Sequence, residues 1–136
     1  MPERPRLAFC FDRSLYRDGF DPEDWRRLDA CTVIVDPEPL SSYTDDRARA
    51  LLKDVQILVT GWDAPLLDEA GLANLPALRF VSHLGATLKA HHAPAVWHRG
   101  VRISAAVEAT AHPVVEYTMA AIVFAGKEIL ARARRY

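Results

Sequence analysis

The chain has 136 residues, of which 50% are hydrophobic and 26% are charged, and its formal net charge is −1. This length suits one domain with a core of its own, and the balanced charge argues against disorder and against a nucleic-acid-binding surface. The short apolar run near the N-terminus is flanked by charges, unlike a signal peptide or a membrane span. We therefore expect a cytoplasmic protein with neither a nucleic-acid nor a membrane partner.

Five short apolar runs have the composition of β-strands. They cover residues 7–11, 32–35, 56–60, 78–82 and 101–105. Nearly continuous apolar runs are typical of strands covered on both faces in a parallel sheet. Helical segments lie between them, so the chain is predicted to form an α/β, flavodoxin-like domain of three layers with a five-stranded parallel sheet in the order 2-1-3-4-5. Any ligand is expected at the carboxyl ends of the strands.

Capping residues mark the predicted helix starts. Asp21 and Pro22 open one helix, Thr44 begins a second and Asp63 opens a third. A fourth helix is predicted over residues 88–98.

A longer helix is predicted over residues 111–136. Its apolar residues recur at alternating steps of four and three and form one stripe. They are Val115, Met119, Ile122, Gly126, Ile129 and Ala133. The uncharged run between Glu116 and Lys127 is too short to cross a bilayer.

Four of the five histidines, His83, His91, His92 and His98, lie close together in the sequence. On the predicted helix, His91 and His92 point about 100° apart and His98 lies about two turns further on, so three ligands do not converge as a zinc site requires. The spacing favours partly exposed helix histidines, and no metal is predicted. The two cysteines have no metal-ligand spacing and are predicted to be buried and reduced.

The bend after the fourth strand is the stronger candidate for a binding site. His83 ends that strand, and Leu84 and Gly85 follow. A glycine here permits a tight turn whose backbone N–H groups face an open crevice, which suits a carboxylate or a phosphate. A plain strand-to-helix turn stays open as the alternative, because a single glycine in a turn is common.

Three segments carry a resemblance to a known family. They are SHLGAT at residues 82–87, VRISAA at 101–106 and TAHPVVEYT at 110–118. Together they resemble the D-isomer-specific 2-hydroxyacid dehydrogenases, in which a glycine loop, a short strand and a long crossover helix follow one another. The resemblance implies a substrate-binding domain over residues 1–110, a crossover helix over residues 111–136, and a Rossmann domain that is absent from this chain.

In the family, main-chain amides of the glycine loop hold the substrate carboxylate. Carried over, these amides belong to Ala86 and Thr87, with Gly85 allowing the turn. His83 and Trp62 would then border the side-chain end of the substrate. Thr87 departs from the family pattern, since many members have a second glycine there and a β-branched residue disfavours positive φ.

The resemblance implies an oxidoreductase that interconverts small 2-oxo and 2-hydroxy acids by hydride transfer with NAD or NADP. The family's catalytic and cofactor-binding residues lie in the nucleotide domain, so this chain is expected to bind no cofactor, to have no catalytic residue and to be inactive alone. The alternative is a non-enzymatic flavodoxin-like module that binds a small anion or acts in regulation. Because the helix over residues 111–136 would be partly uncovered, we also expect a homodimer through it.

Overall fold

The computed structural model describes residues 3–12, 19–89 and 91–135. The chain divides into two compact units, Met1–Ala105 and Ala106–Tyr136. We call them the sheet unit and the helical unit. The predicted boundary at residue 110 remains a prediction.

Five parallel strands form the centre of the sheet unit. They are β1 (Arg6–Cys10), β2 (Val33–Ile34), β3 (Ile57–Thr60), β4 (Phe80–His83) and β5 (Arg102–Ala105). Their order is β2-β1-β3-β4-β5, with helices on both sides of the sheet, which confirms the predicted α/β class and strand order. The register of β3 and β4 places Thr60 beside His83.

Four helices and a 3-10 turn lie between these strands in the described residues. They are α1 (Pro22–Cys31), α2 (Asp46–Leu51), the 3-10 turn (Leu52–Asp54), α3 (Glu69–Ala73) and α4 (Pro94–His98). The start of α1 is as predicted, since the Asp21 carboxylate accepts hydrogen bonds from the N–H groups of Glu23 and Asp24. Asp24 returns a bond to the Asp21 backbone, which completes a capping box.

The starts of α2 and α3 lie later than the sequence predicts. Asp45 rather than Thr44 caps α2, because its carboxylate accepts the N–H of Ala48. Asp63 opens no helix, since its φ of 57° places it in the left-handed region. Asp68 caps α3 instead.

The fourth predicted helix, over residues 88–98, is helical only from Pro94 onward. Proline lacks an N–H and fits the first helical turn, where that group has no partner within the helix. The prediction that His91 and His92 lie on a helix is therefore wrong. Ala90, which falls in the predicted helix, lies outside the described residues.

Successive residues of each strand point to opposite faces of the sheet, and each face has its own core. One face packs strand residues against α2, α3 and α4, and includes Ala8, Cys10, Leu58, Val81, Ala48, Leu72 and Val96. The other packs Leu7, Phe9, Phe11 and Val59 against Phe20, Trp25 and Leu28. The edge-to-face contacts of Phe9 with Phe20 and Trp25 add to this second core.

The two cysteines are both free, and they differ in burial. Cys10 is buried as predicted, and burial raises the pKa of its thiol to about 12, so the thiol stays protonated at neutral pH. Cys31 is exposed, because it ends α1 rather than starting a strand. The prediction that it is buried is wrong.

The helical unit consists of α5 (Val107–Gly126) and α6 (Ile129–Ala133). The long helix begins at Val107, before the predicted start, and continues through Pro113. It ends at Gly126 with Lys127 as its C-cap, and the next residue, Glu128, has a left-handed φ of 53°. Tyr136, the last residue of the predicted helix, lies outside the described residues. No helix in the described part of the chain is both long enough and apolar enough to cross a membrane.

Candidate functional site

The site lies where β3 and β4 end side by side. Thr60 and His83 are the last residues of the two strands and are paired in register. Their side chains meet, with 2.9 Å between Thr60 Oγ1 and His83 Nδ1. Thr60 is 0% and His83 2% exposed, so this hydrogen bond is shielded from solvent.

The contact with Thr60 bears on which nitrogen of His83 carries a proton. Among the described residues, the buried Thr60 hydroxyl has no hydrogen-bond partner besides His83 Nδ1. We assign the hydroxyl as the donor to Nδ1, which gives its buried hydrogen an acceptor and places the hydrogen of the neutral ring on Nε2. Nε2 itself is buried and meets no partner with hydrogen-bond geometry in the described part of the chain.

Gly85 lies directly against this imidazole. A Cβ atom on Gly85 would lie 2.8 Å from His83 Nε2, closer than real contacts allow. The φ of Gly85 is not in the left-handed region. Among the described glycines, only Gly100 has a φ in that region. Glycine is therefore required here because of the space that His83 occupies, and not because of a positive φ.

The backbone N–H groups of the bend at residues 85–87 have no acceptor among the described residues. The N–H of Leu84 still continues the sheet and donates to the Thr60 carbonyl at 2.8 Å. The chain then bends away, and Ala86 and Thr87 are exposed. Thr87 is not among the residues with positive φ, so its β-branched side chain introduces no backbone strain. The amides of Ala86 and Thr87 can therefore donate to a ligand.

Trp62 borders the same bend from the loop after β3. Its Nε1 lies 3.4 Å from the position of a Gly85 Cβ, and the side chain is 60% exposed. The loop turns sharply here, with the Ala64 N–H donating to the Gly61 carbonyl at 3.3 Å and Asp63 in the left-handed region. The indole N–H thus lies beside Gly85.

His91 and His92 complete a cluster around His83. Their ring centroids lie 5.0 Å and 5.5 Å from that of His83. His91 Nδ1 lies 2.9 Å from the Ala64 carbonyl oxygen, and the Leu67 N–H donates to the His91 carbonyl at 2.8 Å. These bonds hold the segment before α4 against the loop after β3.

Burial favours the neutral forms of His83 and His92. Burial, followed by repulsion from His91 and His92, lowers the pKa of His83 to about 4, against an opposing effect of the Thr87 backbone. Burial also lowers the pKa of His92, which is 5% exposed. No group of three or more His, Cys, Asp or Glu side chains in the described ranges is placed to hold a metal ion.

The structure brings three of the sequence-predicted residues, His83, Gly85 and Trp62, into contact distance, and Ala86 and Thr87 continue the same bend. His98 is exposed at the end of α4. The sequence analysis missed Thr60, and it placed His91 and His92 on a helix. Pro94 was the available signal, since it indicates a helix that starts after these two histidines.

Comparison with known proteins gives a likeness of fold. No family model matches the chain, and no curated protein matches it. The crystal structure of a phosphoglycerate oxidoreductase from Rhizobium etli superposes with a TM-score of 0.61 at 19% sequence identity, covering 89% of this chain. The chain spans 36% of the length of that oxidoreductase. At this identity the likeness shows a shared fold.

Proposed function

We propose that the sheet unit is the substrate-binding domain of an NAD(P)-dependent D-2-hydroxyacid dehydrogenase. In this proposal, the N–H groups of Ala86 and Thr87 hold the carboxylate of a small 2-hydroxy or 2-oxo acid, and Trp62 borders the rest of the molecule. The observation that carries the proposal is that the N–H groups of Ala86 and Thr87, two exposed residues just after the carboxyl end of β4, have no acceptor in the described part of the chain.

Three features support this assignment. Ligands of open α/β sheets bind outside the carboxyl ends of the strands, which is where the bend lies. Consecutive backbone N–H groups in a turn form a favourable site for an anion. The segments at residues 82–87 and 110–118 resemble the dehydrogenase family, and the fold is like that of an oxidoreductase.

The nicotinamide cofactor, which supplies or accepts the hydride in such an enzyme, is assigned to a further domain. The six glycines of this chain are dispersed and form no G-x-G-x-x-G loop for its phosphates. The part of the reaction proposed for this chain is therefore to bind and orient the acid. The isolated chain is expected to bind acids without catalysing hydride transfer.

Calorimetry with pyruvate, hydroxypyruvate, D-lactate and D-glycerate at neutral pH tests the proposal. We expect at least one of these acids to bind with millimolar affinity or better. The Gly85→Ala substitution is expected to weaken binding about tenfold or more, because the added Cβ would lie 2.8 Å from His83 Nε2 and the bend must move.

Gly126→Ala is the matched control. It adds the same methyl group at a position in α5 where nothing lies within 4 Å, so binding should be unchanged. Far-ultraviolet circular dichroism of both variants establishes that the fold is retained. The proposal would be overturned if none of the four acids bound at about 20 mM. Equal binding by wild type and Gly85→Ala would also overturn it.

A further inference from the structure

The three clustered histidines differ in which ring nitrogen carries the hydrogen. His91 Nδ1 faces the carbonyl oxygen of Ala64 at 2.9 Å, and His92 Nδ1 faces that of Leu88 at 3.4 Å. A carbonyl oxygen only accepts, so both rings carry their hydrogen on Nδ1 and have a lone pair on Nε2. His83 has the opposite tautomer, because the Thr60 hydroxyl donates to its Nδ1.

Two nitrogens of the cluster are left without partners. His83 Nε2 and His92 Nε2 are both buried and meet no hydrogen-bond partner among the described residues. Leaving a buried polar atom unpaired destabilises a fold, and such an atom in a native structure calls for a functional or structural reason. Here both atoms belong to groups that can take part in proton binding.

The proposed acid site lies next to the cluster. Gly85, the first residue of the bend, lies against His83 Nε2, and a Gly85 Cβ would be only 2.8 Å from that nitrogen. A carboxylate on the amides of the next two residues therefore introduces a negative charge near the buried His83 imidazole. An anion at this range favours the protonated form of a histidine.

The groups that face His83 offer no competing charge of their own. From β3 it meets the neutral Thr60 hydroxyl, and its register partner on β5 is Ala105. Trp62 contributes a neutral indole beside Gly85. In the described part of the chain, the titratable groups that act on the pKa of His83 are His91 and His92.

We infer that the buried pair of His83 and His92 takes up a proton from solvent when an acid binds at the bend, so that the acid is bound as its anion together with one shared proton. His92 has a lone pair for the proton at Nε2, and His83 has one at Nδ1 once the Thr60 hydroxyl turns to accept. Repulsion between two rings whose centroids lie 5.5 Å apart limits the pair to one proton. This inference rests on the proposed function.

The direction of the coupling follows from linkage. The pKa of His83 is lowered to about 4 without ligand, so His83 is nearly unprotonated at pH 5.5. A bound anion that raises this pKa by about one to one and a half units would load roughly a third of a proton at this pH. By the same linkage, the acid binds about 1.5-fold more tightly at pH 5.5 than at pH 7.5.

Calorimetry in buffers of different ionisation enthalpy measures the proton uptake directly on the wild-type chain. For the tightest-binding of the four acids named above, we expect about a third of a proton per acid at pH 5.5 and almost none at pH 7.5. Histidine nitrogen chemical shifts measured by NMR should show a hydrogen on Nε2 of His83 and on Nδ1 of His91 and His92 without ligand.

His83→Gln should abolish most of the uptake, whereas His98→Gln, at an exposed histidine in the same part of the chain, should leave it intact. Binding without proton uptake at pH 5.5 would overturn the inference and leave the proposed function standing. Uptake that persists in full in a folded His83→Gln variant would also overturn it. If no acid binds at either pH, both the inference and the proposed function fail.

Discussion

The sheet unit and the helical unit place their apolar side chains in opposite surroundings. In the sheet unit, Leu58 and Val81 are each 0% exposed, within the core on one face of the sheet. In α5, by contrast, Val115, Ile122 and Phe124 are all more than half exposed. The sheet unit therefore derives its stability from burial, whereas α5 depends on its local helix propensity and on any apolar partner that it meets.

Exposure in the helical unit is not confined to the stripe that the sequence predicts. Val114, Val123 and Phe124 lie outside that stripe and are also exposed. With successive residues about 100° apart, apolar side chains surround most of α5, and a helix that is apolar all round is typically a buried one. The two units therefore differ in the source of their stability.

Truncating a core residue of the sheet unit should have the largest effect on the free energy of unfolding. Leu58→Ala in β3 is expected to lower the free energy of unfolding by about 2–5 kcal/mol, because it removes buried methyl groups and leaves a cavity. Ile122→Ala in α5 should change it by less than about 0.5 kcal/mol at low micromolar protein concentration. Urea denaturation measures both. A similar loss for both variants would contradict the distinction between the units.

Lowering the pH should destabilise the sheet unit through His83. Its folded pKa, about 4, lies below the unfolded value of 6.5, so protonation favours the unfolded chain. The contribution of neutral His83 to the free energy of unfolding is present above pH 6.5, and it is lost as the pH falls from 6.5 to about 4. Its full size is roughly 3 kcal/mol.

Urea denaturation between pH 7.5 and pH 4.5 measures this loss. His83→Gln should flatten the pH dependence, since the titrating group is removed. His112→Gln, at an exposed histidine of α5, should leave it as in the wild type. If both variants keep the wild-type slope, the destabilisation does not come from the buried cluster.

Self-association should show the smallest effect. We expect a homodimer formed through the helical unit at high micromolar concentration, since covering exposed apolar surface is favourable. Phe124→Asp should raise the dimer dissociation constant about tenfold, which corresponds to about 1.4 kcal/mol. Lys53→Asp, at an exposed charged position of the sheet unit, is the control for introducing the same acidic residue. Light scattering that finds only monomers at this concentration would contradict the expectation.

The strands and their order were predictable because they depend on local composition and a general rule of connection. Each predicted strand overlaps its observed counterpart, and parallel crossovers leave few strand orders open. The helix starts were less predictable, because several residues compete to cap each one. Thr44 and Asp63 are acceptable caps by type, yet Asp45 and Asp68 accept the backbone bonds.

The candidate site was predictable only in part. His83 could be placed at the carboxyl end of a strand, since that position follows from the apolar run before it. The bond between His83 and Thr60 depends on the register of two strands 23 residues apart, which composition does not reveal. The approach of His91 and His92 to His83 depends on the path of an irregular segment, and no periodicity describes such a path.

The close fit of Gly85 against His83 also bears on how this protein can evolve. Positions 83 and 85 share one volume, so a larger residue at position 85 is compatible with the bend only when position 83 carries a smaller one. Among homologous sequences, the two positions should therefore vary as a pair. A lineage that exchanges this histidine for a small residue would at the same time gain freedom to reshape the loop.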